Sequence, residues 1–173
     1  LALIGTDEDD GAATTTNATA AQLNDIVGVS GALSANESAY QAYIDANESN
    51  FSSPATAAEV QAMVTSVNAA QTLLASIGTD EDDGAATTTN ATAAQLNDIV
   101  GVGGALSANQ AAYQAYIDAN GSNFSTPATA AEVQAMVTSV NNAVTLLAAI
   151  GTDEDDGVAT TTNATAAQLN GII

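Results

Sequence analysis

The chain is 173 residues long and carries 20 acidic side chains, a formal charge of −20, and no Lys, Arg, His, Cys or Trp. Without His no side chain is poised near neutral pH for acid–base work, and without Cys there is no thiol nucleophile, disulfide or thiolate metal site. Without Lys or Arg nothing neutralises phosphate, so nucleic acid is excluded as a partner and an anionic membrane surface repels the chain.

Hydrophobic residues make up 46% of the sequence, but half of them are Ala, which favours helix and buries little area. No apolar run approaches the roughly 18 residues that span a bilayer, and residues 1–20 lack the basic and apolar regions of a signal peptide. The first residue is Leu1 rather than Met, as expected of a fragment or a processed product.

In chain order, Leu1-Ala2-Leu3 reads as the tail of a preceding unit, matching Leu74-Ala75-Ser76. Ile4-Gly5-Thr6-Asp7-Glu8-Asp9-Asp10-Gly11 follows and recurs, at one constant spacing, at Ile77 to Gly84 and Ile150 to Gly157. The repeating unit is therefore 4–76, with its second copy at 77–149. Between these two copies only eight positions differ, among them Ser30/Gly103, Glu37/Gln110 and Ser53/Thr126. Residues 150–173 form a partial third copy. The chain thus begins and ends inside a unit, which suggests a window onto a longer array.

Each unit predicts three helices, because three boxes of the form S/T-x-x-E/Q are present. Thr19-Ala20-Ala21-Gln22 opens helix A, about 19–28, with Leu23, Ile26 and Val27 apolar and Gly28 and Gly31 ending it. Ser34-Ala35-Asn36-Glu37 opens helix B, about 34–48, with Leu33 as a hydrophobic staple and a stripe of Tyr40, Tyr43, Ile44 and Asn47. Pro54 cannot continue a helix. Thr56-Ala57-Ala58-Glu59 opens helix C, about 56–76, with a stripe of Val60, Met63, Val64, Val67, Ala70, Leu74 and Ile77. The second copy repeats the boxes at Thr92/Gln95, Ser107/Gln110 and Thr129/Glu132. The fold class expected is all-α: tandem three-helix modules, each the length of 4–76, stacked as a helical repeat array.

Twelve of the twenty acids lie in three linkers: Asp7, Glu8, Asp9, Asp10; Asp80, Glu81, Asp82, Asp83; and Asp153, Glu154, Asp155, Asp156. Like charges ~4 Å apart cost about 1 kcal/mol even in water, a penalty that a hard cation such as Ca²⁺ would reverse. These twelve are the candidate metal ligands. They fit no EF-hand register: with Asp7 at position 1, position 6 is Ala12 and position 12 is Ala18. The alternative is a solvated acidic linker that serves solubility. Acids ahead of helix A also favour its positive end, though Ala12 to Asn17 intervene.

Sequons occur at Asn17, Asn36, Asn47, Asn50, Asn90, Asn120, Asn123 and Asn163, a number that a chain rich in Asn, Ser and Thr reaches by chance. Tyr40, Tyr43 and Phe51 read as core, with a contact to another chain as the alternative. Asp25 and Asp45 read as solvated. Paired carboxylates could serve a glycosidase, but near-identical copies without cleft-forming insertions point to reach or avidity, so no enzyme is expected.

Thr56-Ala57-Ala58-Glu59-Val60-Gln61-Ala62-Met63-Val64 with Val67-Asn68 resembles the Ala-rich helical tandem repeats of very large bacterial surface proteins. Those include adhesin stalks and biofilm proteins secreted by type I systems. The resemblance implies secretion, an extracellular or cell-surface location, Ca²⁺-rich surroundings and a role in adhesion or matrix building. It carries no functional residue over to a position here.

The expected role is therefore mechanical: a rod or fibre partnered by neighbouring repeats or copies of itself, with no membrane insertion. Lacking Lys and Arg, it would resist trypsin-like proteases. The alternatives are a filament packed laterally through Ala-rich helices and a three-helix ligand-binding module.

Overall fold

The structure is a computed structural model that describes residues 1–2, 4, 18–80 and 91–151. Among these residues the chain is all-α: six α-helices joined by 3₁₀ turns and loops, with no strand. It divides into two compact units. One comprises Leu1–Thr72 with Asp98–Val100, and the other Leu73–Asn97 with Gly101–Ile173.

The first unit is built from α1 (Ala20–Asn24), α2 (Glu37–Ala46) and α3 (Ala57–Ile77), with 3₁₀ turns at Ser34–Asn36 and Glu48–Asn50. Its α3 is 21 residues, about 30 Å at 1.5 Å per residue. The i, i+3, i+4 recurrence of Val60, Met63, Val64 and Val67 puts one stripe of α3 against Leu23 of α1 and Tyr40 and Ile44 of α2. Tyr40, Ile44 and Val60 are completely buried, so the small number of large side chains is concentrated at one centre. Tyr43 stays at the margin and meets Phe51 edge-on, their ring centroids 6.3 Å apart. Ile4 also belongs to this core.

The second unit contains α4 (Ala93–Asn97), α5 (Gln110–Ala119) and α6 (Ala130–Gly151). Tyr113, Ile117 and Val133 are its fully buried counterparts. The unit also holds the end of α3 from Leu73 onward. There Leu74 and Ile77 are 6% and 0% exposed. Thus the boundary between units falls inside a helix, one turn before the end of the 4–76 sequence repeat.

α6 has 22 residues and a mean hydropathy of 1.4 over an 18-residue window, enough by length and composition to cross a membrane. Its apolar stripe of Val133, Met136, Val137, Val140 and Ala143 is buried within the unit.

Three local expectations change. Helix A is shorter than 19–28: α1 stops at Asn24 and the chain turns, leaving Val27 93% exposed. Gly28 and Gly31 then take φ of +94° and +80°, the left-handed region that a Cβ disfavours. Helix B begins later than residue 34. Ser34–Asn36 is a 3₁₀ turn, α2 starts at Glu37, and neither turn nor helix has a side-chain cap. Leu33 is 52% exposed and is therefore no staple; its amide donates instead to the Tyr40 hydroxyl.

Candidate functional site

Of the twelve candidate metal ligands, only Asp80 lies among the described residues. Asp7, Glu8, Asp9, Asp10, Glu81, Asp82, Asp83, Asp153, Glu154, Asp155 and Asp156 lie outside them. Asp80 is half-buried at the end of α3, its amide donating to Ile77 O at 3.3 Å. No group of three or more acids or other ligating side chains comes together among the described residues. Asn17, Asn90 and Asn163 of the sequons also fall outside.

The described residues bring together carboxamides around the loop after α1. Asn24 Nδ2 donates to Ala32 O at 2.9 Å, and Ala32 N donates back to Asn24 Oδ1 at 3.0 Å. Gln61 on α3 does the same for Ser30, its Oε1 accepting the amide at 2.7 Å and its Nε2 donating to the carbonyl at 3.3 Å. Asn68, two turns further along α3, donates to Gly31 O at 2.8 Å and accepts from Asn36 Nδ2 and the Tyr40 hydroxyl. An amide side chain presents the same donor and acceptor pair as a backbone unit, so three of them replace the ladder this irregular loop lacks. Because residue 30 is held through its backbone, Gly103 substitutes for Ser30 and keeps both bonds to Gln134.

Two of the three capping boxes form in each copy, the second pair at Thr92/Gln95 and Thr129/Glu132. Gln22 N donates to Thr19 Oγ1 while Thr19 N donates to Gln22 Oε1, and Thr56 and Glu59 reciprocate likewise. Glu59 extends further: its carboxylate also accepts from Ser52 Oγ at 2.6 Å and Ser52 N at 3.1 Å. Those bonds, the Ser52 hydroxyl foremost, hold its pKa down at about 2. Glu132 is lowered to about 2 as well, first by the Thr129 amide and then by the Ser125 hydroxyl. The third box does not form. Glu37 turns away from Ser34, and its Oε1 accepts the Ala20 amide at 2.9 Å, satisfying an orphan donor at the start of α1. Gln110 makes the equivalent bond to Ala93 N at 3.4 Å.

The loops carrying the cis peptides Ser53–Pro54 and Thr126–Pro127 each receive a chain segment from far away in sequence. In the first unit Ala55 N donates to Leu1 O at 3.2 Å and Ile4 is buried in the core. In the second, Ala128 N donates to Leu74 O at 3.0 Å and the Thr126 hydroxyl donates to Gly78 O. Gly78 lies so close that a Cβ there would fall 2.5 Å from Ala128 N and 2.9 Å from Pro127 C, with Ser125 O nearer still. Only a glycine fits.

Sequence reasoning missed Asn24, Gln61 and Gly78 as structural determinants. Its available signal was the identity of all three at positions 97, 134 and 151, but near-identity of the copies made every residue look alike in this respect. Comparisons with known protein families, with curated proteins and with solved structures each give no match for this chain.

Proposed function

We propose that the chain is a non-enzymatic structural repeat of a secreted bacterial surface protein. Three-helix modules, each the length of 4–76, follow one another to make an extracellular rod or fibre. The observation that carries this reading is the pair of backbone bonds Ala55 N to Leu1 O and Ala128 N to Leu74 O, which join equivalent positions of successive copies. In both units the proline loop is bonded to a leucine, Leu1 or Leu74, that belongs in sequence to the end of the previous repeat. A module that completes its core with its predecessor's last turn is suited to serial threading, since no repeat is whole without a neighbour.

The composition supports the same reading. A chain without Lys or Arg offers trypsin-like proteases no cleavage site, and its charge of −20 keeps neighbouring rods apart. The resemblance to Ala-rich repeats of adhesin stalks and biofilm proteins points to the cell surface as the location. The partners are then adjoining repeats or further copies, and the role in adhesion or matrix building is one of length and stiffness.

Calcium is assigned to the acidic linkers, where consecutive carboxylates between glycines would stiffen on binding a hard cation. Calorimetric titration tests this part separately, with saturable binding expected near about 1 mM, the range of weak extracellular modules. Heat of dilution alone would remove calcium from the proposal.

Small-angle scattering of the full chain tests the rod. An elongated monodisperse particle is expected, with a maximum dimension that grows when a fourth or fifth repeat is appended. A particle whose dimension stays constant on adding repeats would overturn the reading. Ordered lateral fibres under the electron microscope would favour the filament, and saturable capture of one host protein the ligand-binding module.

A further inference from the structure

The loop Ser125–Thr129 is closed by one carboxylate. Glu132 Oε1 accepts the Ser125 amide at 3.2 Å, while Oε2 accepts the Ser125 hydroxyl at 2.9 Å and the Thr129 amide at 2.7 Å. The amides at the two ends of the loop thus hang on different oxygens of the same group. Between them the loop grips the end of α3. Ala128 N donates to Leu74 O at 3.0 Å, the Thr126 hydroxyl donates to Gly78 O, and the loop leaves no room for a Cβ on Gly78. All of these residues belong to the second unit.

We propose that Glu132 latches an acid-released clasp: protonation of its carboxylate frees the loop Ser125–Thr129 and loosens the grip on the last turn of α3 while the rest of the unit stays folded. A protonated carboxyl turns one of its two oxygens into a donor, so an amide at one end of the loop loses its acceptor. The start of α4 supplies the contrast. There Gln95 Oε1 accepts both the amide and the hydroxyl of Thr92, so a neutral side chain suffices because both donors sit on one residue. Glu132 has to reach two residues and uses both oxygens.

The same bonds hold the folded pKa of Glu132 at about 2, against an ordinary 4.5, the Thr129 amide contributing most. The ionised latch therefore acts in full above pH 4.5 and is lost as pH falls towards 2. Release is local because Val133, Met136, Val137 and Val140 of α6 and Ile117 of α5 are buried apolar side chains whose packing carries no proton. The loop, the segment Leu74–Gly78 and the 3₁₀ turn Ser107–Asn109 contain no ionisable side chain, and Glu132 is the only acid on α6. Tyr113, Tyr116 and Asp118 on α5, which packs against α6, and Asp80, two residues past Gly78, are the ionisable groups of the adjoining elements among the described residues. The clasp is independent of the rod reading, which scattering from chains of increasing repeat number tests.

Hydrogen exchange of the full chain, followed amide by amide by NMR, tests the latch. The Ala128 amide reports the grip on Leu74, and the Val137 amide, within α6, reports the fold. Between about pH 6 and about pH 3 the protection factor of Ala128 is expected to fall at least about tenfold, while Val137 keeps its protection. Glu132→Gln is expected to show the lowered Ala128 protection already at about pH 6 and to lose the dependence on pH. Ala128 protection that holds at about pH 3 would overturn the proposal. So would a fall shared equally by Val137, which is global unfolding, or a fall that persists undiminished in Glu132→Gln. Should Glu132→Gln fail to fold, Asp80→Asn and Asp118→Asn take its place: a fall retained in both supports the latch, and a fall abolished by either overturns it.

Discussion

The Tyr40 hydroxyl donates to Asn68 Oδ1 while accepting the Leu33 amide at 2.9 Å, so one phenol ties α2 to α3 and to the loop between α1 and α2. At the equivalent place in the second repeat, Tyr113 does the same with Asn141 and the Leu106 amide. The fully buried ring supplies apolar area, and its polar end finds both a donor and an acceptor.

Asn68→Ala removes the acceptor of both Tyr40 and Asn36 and the donor to Gly31 O. The expected cost is about 1–3 kcal/mol, the penalty for stranding part-buried polar groups. Urea denaturation measures it, and Asn141→Ala in the second unit should show a loss of the same size. A loss at both sites below about 0.5 kcal/mol, the least that a single net hydrogen bond contributes, would show that the network adds no stability.

Gly78→Ala and Gly151→Ala are the same substitution at equivalent sequence positions with opposite expected outcomes. At Gly78 the Cβ meets backbone atoms of Ser125, Pro127 and Ala128 that cannot rotate away. Destabilisation of about 1–3 kcal/mol follows from such overpacking. At Gly151 the space is open, and the change gains helix propensity worth up to about 1 kcal/mol. Thermal melts of the two variants are expected to move in opposite directions.

Among the described residues, acid sensitivity is expected to centre on Glu59 and Glu132. Their folded pKa values, about 2, lie below the ordinary 4.5, so the ionised carboxylates stabilise the folded chain at pH values above 4.5. That contribution drains away as pH falls from 4.5 towards 2. The double variant Glu59→Gln with Glu132→Gln should lose stability at neutral pH and show a flatter dependence across this window. An unchanged slope over the same acid range would contradict the assignment.

Glu37→Gln is expected to be nearly neutral, within about 0.5 kcal/mol, because Gln110 already makes the corresponding bond to Ala93 N. Glu37→Ala strands the Ala20 amide and is expected to cost about 0.5–2 kcal/mol, as loss of a helix cap does. If this side chain instead capped α2 within its own box, the removal of Ser34 Oγ in Ser34→Ala would be the damaging change; here it is expected to be silent.

Legibility in the sequence followed the range of the interaction. The stripe from Val60 to Ile77 and the Thr19 and Thr56 boxes operate over three or four residues, and they appear in the structure at those positions. The Ser34 box satisfied the same pattern and did not form. Its Glu37 had two candidate donors, one local and one at Ala20, 17 residues earlier, and the chain's path delivered the distant one. Val27 fitted the helix A stripe, but the helix had already ended at Asn24, where Asn24 binds Ala32 across eight residues. Of the candidate metal ligands, only Asp80 can be placed, half-buried and apart from any cluster of ligands among the described residues.

By itself the sequence determined that the described residues are helical, where the long helices run, and which side-chain types are absent. Those properties depend on residue type and on spacings of three or four, which fix local free energies whatever the rest of the chain does. Only the tertiary structure decided that Asn24, Gln61 and Asn68 hold a loop together, and that a unit starts with the closing turn of the repeat before it. Hydrogen bonds across 31 or 37 residues and a helix end lodged 48 residues from its neighbour depend on the path of the backbone through space. An isolated Asn, Gln or Gly carries no mark of where that path will take it.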